Sequence, residues 1–523
     1  MKKIKTYLIA LGVIALFSSC GDSIINLEPK DKFTTDVALS TLDGLEGSVY
    51  GVYERARNFY ESEVSSTYNC AQSDIVKIGS NIGDAKIGSQ QSLLALVTFN
   101  AIFNGSNSLV QQIWDGCYIG LNRANLIIEG IDNLQIDWTP AKTARKNQVL
   151  GEAYFFRAFY HYTLIMRWDN IVLADKVSND PDAKITLSNK DVVLPLIVSD
   201  LNSAINLLKP ASEIGYSSKI SKGTARHLLS KVYLVQNEWA KAAEMSEAVI
   251  NDGYYKLEPL DNIFSCQFQD NKEIILKWEF LHGDANHQSR TCQMWLPLYD
   301  RVNGVKRSFE QGGRPYARLH PSDYFWTLYE KNDKRLKAYN KTHWYYDTET
   351  EAEGSIPAGE FVGDTVKAET MTEYANIGAV VITPTTKKYF EDGTFGRKID
   401  DASGWKDVIH YRLAESYLIA AEANWRAGNE AKALTFINAI RQRAGVADFT
   451  SLDQEKLLAE QARELGHEGH RYDMLKRLGL LVERVKLYNP DASPNIQDFH
   501  VRWPIPRNFV DMTKVLQNEG YTE

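Results

Sequence analysis

Along the middle and the end of this chain, apolar residues recur with helical spacing. Ala414, Leu418, Ala421 and Trp425 stand at i, i+4, i+7 and i+11; Gly428 supplies a stop; Ala433, Ile437, Ile440 and Ala444 then repeat the spacing. This pattern predicts two amphipathic helices joined by a short turn. An earlier segment repeats it, with Ala225, Leu229 and Val232 on one face, Asn237-Glu238 as the turn, and Ala242, Met245 and Val249 on the returning helix. The segments share Ala240-Lys241-Ala242 and Ala431-Lys432-Ala433 just after their turns.

Aligned on those alanines, both pairs are similar to tetratricopeptide repeats, in which a small residue lets the second helix pack closely on the first. The match is partial: the large residue expected late in the second helix is Ser246 in one unit and Ile437 in the other. Such hairpins cannot bury their apolar faces alone, so they stack on further helices. Leu39 to Tyr60, Ile113 to Ile131 and Val149 to Trp168 carry helical patterns, and the stretch from Gly151 to Tyr160 is apolar nearly all round, which places its aromatic rings in a core. The predicted fold class is mostly α, a tetratricopeptide-like scaffold of helical hairpins with long irregular loops and minor β structure.

The scaffold is expected over residues 36–60, 109–280 and 406–480. The intervening stretches, 61–108 and 281–405, are rich in Gly, Ser, Thr, Asn and Asp and carry aromatics without helical spacing. Connections of this length in a compact domain are usually functional or disordered. Trp295, Tyr299, Tyr316, Tyr324, Phe325, Trp326, Trp344, Tyr345 and Tyr346 are too many rings for a solvated linker, so the second stretch is expected to be ordered.

The N-terminus has a separate purpose. Lys2, Lys3 and Lys5 precede an apolar run from Tyr7 to Phe17 and then Ser18-Ser19-Cys20-Gly21, which reads as a signal peptide, residues 1–19, ending in a lipoprotein cleavage site. The run falls short of the about 20 apolar residues that a membrane helix needs. Cleavage leaves Cys20 as the lipidated first residue of a single domain, 20–523, with Gly21 to Lys32 as a polar tether. Without the leader's three lysines the 59 basic residues fall to 56 against 67 acids, so the mature chain is more acidic than the full-length charge of -8. That balance argues against nucleic acid and against a polybasic membrane surface. Cys70, Cys117, Cys266 and Cys292 include no close pair; whether Cys266 and Cys292 bond is open. His467-Glu468-Gly469-His470 sets its histidines at i and i+3 where a helical zinc site needs i and i+4, so no metal is assigned. No cofactor is implied.

One run is more specific. Glu464-Leu465-Gly466-His467-Glu468-Gly469-His470-Arg471-Tyr472-Asp473-Met474-Leu475-Lys476-Arg477-Leu478-Gly479 resembles the signature of the SusD/RagB family of Bacteroidetes surface lipoproteins. Val49-Tyr50-Gly51-Val52-Tyr53 resembles that family's early helix, Phe156-Arg157-Ala158-Phe159-Tyr160 its aromatic helix, and Tyr411-Arg412-Leu413-Ala414-Glu415 its third marker. Trp503-Pro504-Ile505-Pro506 and Gln517-Asn518-Glu519-Gly520-Tyr521 resemble its closing elements. Departures fall at turns, where Asn170-Ile171-Val172-Leu173 lacks the usual proline and Glu519 replaces another, and at Gly312-Gly313-Arg314, where many relatives carry Trp in the last place. Within the signature, Glu464, Glu468 and Arg471 at i, i+4 and i+7 are expected on one helix face in a structural role.

The resemblance implies a SusD-like, non-catalytic glycan-binding protein on the outer face of the outer membrane, anchored by its lipid and working with a SusC-like TonB-dependent transporter. Sugar binding calls for flat rings against C–H faces and planar polar side chains for the hydroxyls. On that expectation Asp74, Asn100 and Asn104 of the first loop stretch, and Trp295, Tyr299, Arg314 and Tyr316 of the second, are the candidate ligand residues. Two other readings stay open: capture of peptides, as in the RagB branch, and a helical glycoside hydrolase, for which no spacing singles out a carboxylate pair.

Overall fold

A computed structural model describes residues 39–62, 65–81, 89–178, 184–284, 287–347, 356–366, 372–374, 378–380 and 382–521. The leader, Cys20 and the tether lie outside these residues. The chain is mostly helical. Its principal helices are α1 (Leu42–Arg57), α2 (Ser89–Thr98), α3 (Ser108–Asn133), α4 (Pro140–Trp168), α5 (Lys190–Leu207), α6 (Lys222–Val235), α7 (Trp239–Ile250), α8 (Leu413–Arg426), α9 (Glu430–Ala444), α10 (Gln454–Leu465) and α11 (Arg471–Arg477). Local chemistry fixes their starts. The Thr139 hydroxyl accepts from Lys142 N with Pro140 in the first turn of α4, the Asn189 side chain caps α5, and Ser221 with Thr224 forms a capping box on α6.

Packing runs from neighbour to neighbour: α1 on α3, α3 on α4, α4 on α5, α5 on α6, α6 on α7, α7 on α8, α8 on α9. This is the arrangement expected of repeats that bury their faces only by stacking. Both sequence-predicted hairpins are present, α6–α7 turning at Asn237 (φ 59°) and α8–α9 at Gly428 (φ 84°). They meet through Leu234, Ala242, Ala243, Ile419 and Ala423. Ser246, small where the repeat pattern expects bulk, is fully buried and donates to Ala242 O, so its hydroxyl is satisfied without opening the interface. At the other end Gly120 lets α4 approach α3: a Cβ there would lie 2.3 Å from the Tyr160 ring, whose hydroxyl donates to Val52 O. The aromatic run of α4 is core as expected, from Phe155 and Phe156 to Trp168. Helix α5 was not evident from the sequence pattern, since Pro195 interrupts its second turn.

The scaffold opens at one place. Strand β2 (Ile274–Trp278) pairs antiparallel with β6 (Val408–Arg412), so the excursion between them leaves and re-enters the helical body side by side. It contains β3 (Leu319–Pro321), which pairs with β1 (Val76–Ile78), and β4 (Asn340–Lys341), which pairs with β5 (Thr385–Thr386). It also has a core of its own, including Leu296, Leu298, Tyr299, Val302, Trp344 and Tyr346. The first loop stretch differs from the irregular expectation in containing α2. All four cysteines of the described part are buried and free. None of the described helices is long and apolar enough to cross a membrane.

The family signature corrects one expectation. Glu464, Glu468 and Arg471 do not share a helix: α10 ends at Leu465, Gly466 is extended, His467 and Gly469 take positive φ (68° and 94°), and α11 begins at Arg471. The turn aims the acids inward. Glu464 accepts from Arg412 (2.7 Å), Arg443 (2.5 Å), Arg335 (3.1 Å) and the Tyr339 hydroxyl (2.9 Å); Glu468 accepts from Arg412 (2.7 Å) and Lys388 (2.6 Å). Arg335 also pairs with Asp333 and Glu460, and Arg412 and Arg443 both reach Glu273. Burial by itself would raise the Glu464 carboxyl, but Arg443, Arg412 and Arg335 outweigh it and hold the group well below the ordinary 4.5. Arg335 and Lys388 belong to the excursion; Glu273, Arg412, Arg443, Glu460 and Glu464 belong to the body.

Glu464→Gln, which leaves these arginines short of a buried countercharge, is expected to cost about 3–5 kcal/mol in urea unfolding. Because the folded carboxyl titrates below its unfolded value, its contribution is present above about pH 4.5 and lost as pH falls. The variant should therefore show a shallower loss of stability on acidification than the parent.

Candidate ligand-binding site

Arg314, Pro315, Tyr316, Ala317 and Arg318 lead into β3 as irregular backbone, with Ala317 in the left-handed region (φ 47°). The run is held on both sides. Tyr316 N donates to Gln293 O, Ala317 N to Leu296 O and Arg318 N to Met294 O; on the opposite edge Gly79 N donates to Arg318 O and Asn81 N to Ala317 O. Side chains reinforce the frame, with Asn81 Nδ2 donating to Tyr316 O (3.0 Å) and Arg318 Nη1 to Asn81 O (2.9 Å).

On this frame the Tyr316 ring is half-buried, backed by the buried Arg318 guanidinium at 4.2 Å from its centroid and flanked by Arg314 at 5.4 Å. Arg314 Nη1 donates to Gln293 Oε1 at 2.6 Å, which fixes the fork while leaving the side chain partly exposed. The turn ahead of Arg314 requires its glycines. Gly312 and Gly313 have φ of 121° and 86°, and a Cβ on Gly312 would stand 2.5 Å from Leu296. A flat ring with a guanidinium fork and a side-chain amide beside it offers one apolar face and several planar hydrogen-bond groups.

The other expected ligand residues are placed differently. Asp74 is fully buried, its carboxylate receiving Arg471 at 2.8 and 2.7 Å and Arg484 at 3.3 Å, so it is an internal ion-pair partner. Trp295 is 1% exposed, with its ring packed on His467, and Tyr299 is 0% exposed, donating to Ser308 O and Gly313 O. These three have no face toward solvent in this structure; Trp295 underlies the site and Tyr299 pins its turn. Asn100 and Asn104 are half-exposed, but their side chains close their own turn: Asn100 Oδ1 accepts from Ile102 N, Asn104 Oδ1 from Ser106 N, and Asn104 Nδ2 donates to Ala101 O. Their loop packs on the C-terminal segment through Phe103 against Trp503 and Tyr521. His467 and His470 diverge, the first bonded to Ile75 O and the second to Glu415.

Sequence reasoning missed Asn81, Gln293 and Arg318. No local signal marked Arg318, because the backbone turns at Ala317 (φ 47°); Asn81 and Gln293 join the site only through pairing across the fold.

Comparison with known proteins places this geometry. Residues 292–521 match the SusD family and residues 61–234 match the family described as starch-binding associating with outer membrane. Together these cover most of the chain, and the chain belongs to the SusD/RagB family. Among its relatives are the starch-binding protein SusD of Bacteroides thetaiotaomicron, 23% identical over 73% of this chain and 74% of that one, and SusD-like protein P2 of Formosa agariphila, 26% identical over 81% and 83%. A solved structure described as a laminarin-binding SusD-like protein superimposes with a TM-score of 0.71 at 21% identity, covering 92% of this chain and 99% of that one.

Gly312→Ala forces a side chain into the left-handed turn and against Leu296, and is expected to destabilise the protein by about 1–3 kcal/mol. A lowered thermal midpoint, with Tyr316 fluorescence or near-ultraviolet dichroism altered before the helical signal, is the outcome that checks it.

Proposed function

We propose that the chain is a non-catalytic carbohydrate-binding protein of the cell surface. It captures oligosaccharide at the Arg314–Tyr316 face and passes it to a SusC-like TonB-dependent transporter, while a lipid on Cys20 holds it to the outer membrane. The observation that carries this reading is the half-buried Tyr316 ring with the Arg314 fork and the Asn81 amide on one hydrogen-bonded backbone frame, in a family whose relatives include proteins named as binding starch and laminarin. Stacking covers the C–H face of a pyranose, and the fork and amide meet its hydroxyls without needing charge on the ligand. A stiff helical body with an ordered excursion supports binding without chemistry, since the site residues are positioned by backbone on both sides.

Affinity electrophoresis through gels containing laminarin, starch, mucin glycan or plant polysaccharide tests the reading. One or more of these should retard the protein, and Tyr316→Ala or Arg314→Ala should weaken the retarding interaction about tenfold, equivalent to ~1.4 kcal/mol, with the melting curve unchanged. Retention of random peptides with no saccharide retained would replace it with peptide capture, and release of reducing ends from a retained polysaccharide would replace it with hydrolysis. For the anchor, the full chain carrying Cys20→Ala should fail to incorporate labelled palmitate and should leave the membrane fraction, because a soluble body has no other hold on the bilayer.

A further inference from the structure

A second opening in the excursion has a different chemistry. A cavity of about 540 Å³, within the range of small-molecule sites, is lined by residues 331–345 around β4, by Lys387 and Phe390 beyond β5, and by Glu310. Four of its residues are lysines: Lys331, Lys337, Lys341 and Lys387. Among the described residues none of the four makes an ion pair. Lys341 Nζ reaches only the backbone oxygen of Glu310, at 3.4 Å, and sits 5.5 Å from the Trp344 ring and 5.8 Å from that of Tyr345. Two acids line the cavity, but Asp333 is buried and spent on Arg335, bonding its Nε at 3.0 Å and Nη2 at 2.8 Å. That leaves Glu310, exposed at the rim, with Asp261 acting on Lys387 from outside the cavity.

In a chain of net charge -8, a concave cluster of unpaired ammonium groups stands out. Its cost is visible in titration: burial and the neighbouring charge of Lys387 push Lys341 down to about 8, and burial together with Lys337 lowers Lys387 despite Asp261. A bound anion offsets both effects. The rest of the lining suits a sugar: the Tyr345 ring is 44% exposed, and Thr342, His343 and Asn332 supply hydrogen-bonding groups. A neutral saccharide accepts hydrogen bonds from the lysines but leaves their charges unmatched, and the cavity is far larger than a single inorganic anion needs.

We propose that this lysine-lined cavity is a second carbohydrate subsite, selective for saccharides that bear carboxylate or sulfate groups. The proposal rests on the carbohydrate-binding reading above and adds to it the class of sugar. The two charge types share the chemistry of an anion against ammonium groups, and the probes distinguish them.

The full chain, purified from membranes in detergent, is titrated calorimetrically with an oligogalacturonate, a sulfated galactan oligosaccharide, a neutral laminarin oligosaccharide and oligoglutamate. At least one acidic saccharide should bind, with affinity that falls as sodium chloride rises, and Lys341→Gln with Lys387→Gln should weaken it by about tenfold or more. Removing two repelling charges should leave the thermal midpoint equal or higher; Tyr345→Ala, an exposed change, provides an independent variant that should also weaken the acidic sugar. Acidic saccharide binding that ignores these changes, or oligoglutamate binding as tightly, overturns the proposal. Neutral sugar bound through Tyr316 with no acidic sugar bound overturns this inference alone, whereas failure of every saccharide overturns the carbohydrate reading as well.

Discussion

The buried ion network centred on Arg412 and Glu464 is the constraint on which the rest of the structure depends. Arg412 ends β6 and is bonded at once to Glu273 beside β2, to Glu464 at the end of α10 and to Glu468 in the following turn. Each charge is fully or almost fully buried. Ions taken out of water at this depth are costly unless every one is matched, so the network is stable only when all its elements are in place together. Through Arg335 and Lys388 it reaches the excursion, and through Arg441 and Arg443 it reaches α9. Excursion and body, which also share a core through Met294, Trp295, Leu319 and Phe325, are thereby fixed to one another by charge as well.

This explains why a long, glycine-rich excursion can present a defined surface. The Arg314–Tyr316 segment is tied back to the helical body: Tyr316 N donates to Gln293 O, the nearby Trp295 ring packs against His467 of the signature turn, Thr385 donates to Trp295 O, and Lys388 carries the same segment into the network. The family signature, which has no catalytic arrangement in it, is thus a joint. Its turn places Glu468 under Arg412 and Lys388 and places Arg471 on Asp74, so that both loop stretches are tied to the same short segment, Glu464 to Arg471.

Much of the scaffold was legible in the sequence, because stacked helices bury continuous stripes and stripes leave a 3.6-residue period. The hairpins around Gly428 and Asn237 and the aromatic helix ending at Trp168 were read this way, and α5 was hidden by Pro195. The candidate site was legible only in part. Composition separates the excursion from the body, but a ring in a loop has the same identity whether it faces solvent or core. Trp295 turned inward into the core shared with the body, Tyr299 into the excursion's own core, and Asp74 toward two arginines, Arg471 and Arg484, far along the chain. The joint in the signature was misread for a related reason: i, i+4, i+7 spacing is preserved across a helix break that only Gly466, His467 and Gly469 betray.

The network's role as a clamp is tested most directly by native-state hydrogen exchange in rising sub-denaturing urea, read by mass spectrometry on peptides from β2, β6, residues 333–341 and residues 385–391. If buried charge binds excursion to body, these peptides lose protection together, with the same urea dependence, as one cooperative unit. Exchange of the excursion peptides at low urea while β2 and β6 stay protected would contradict the account.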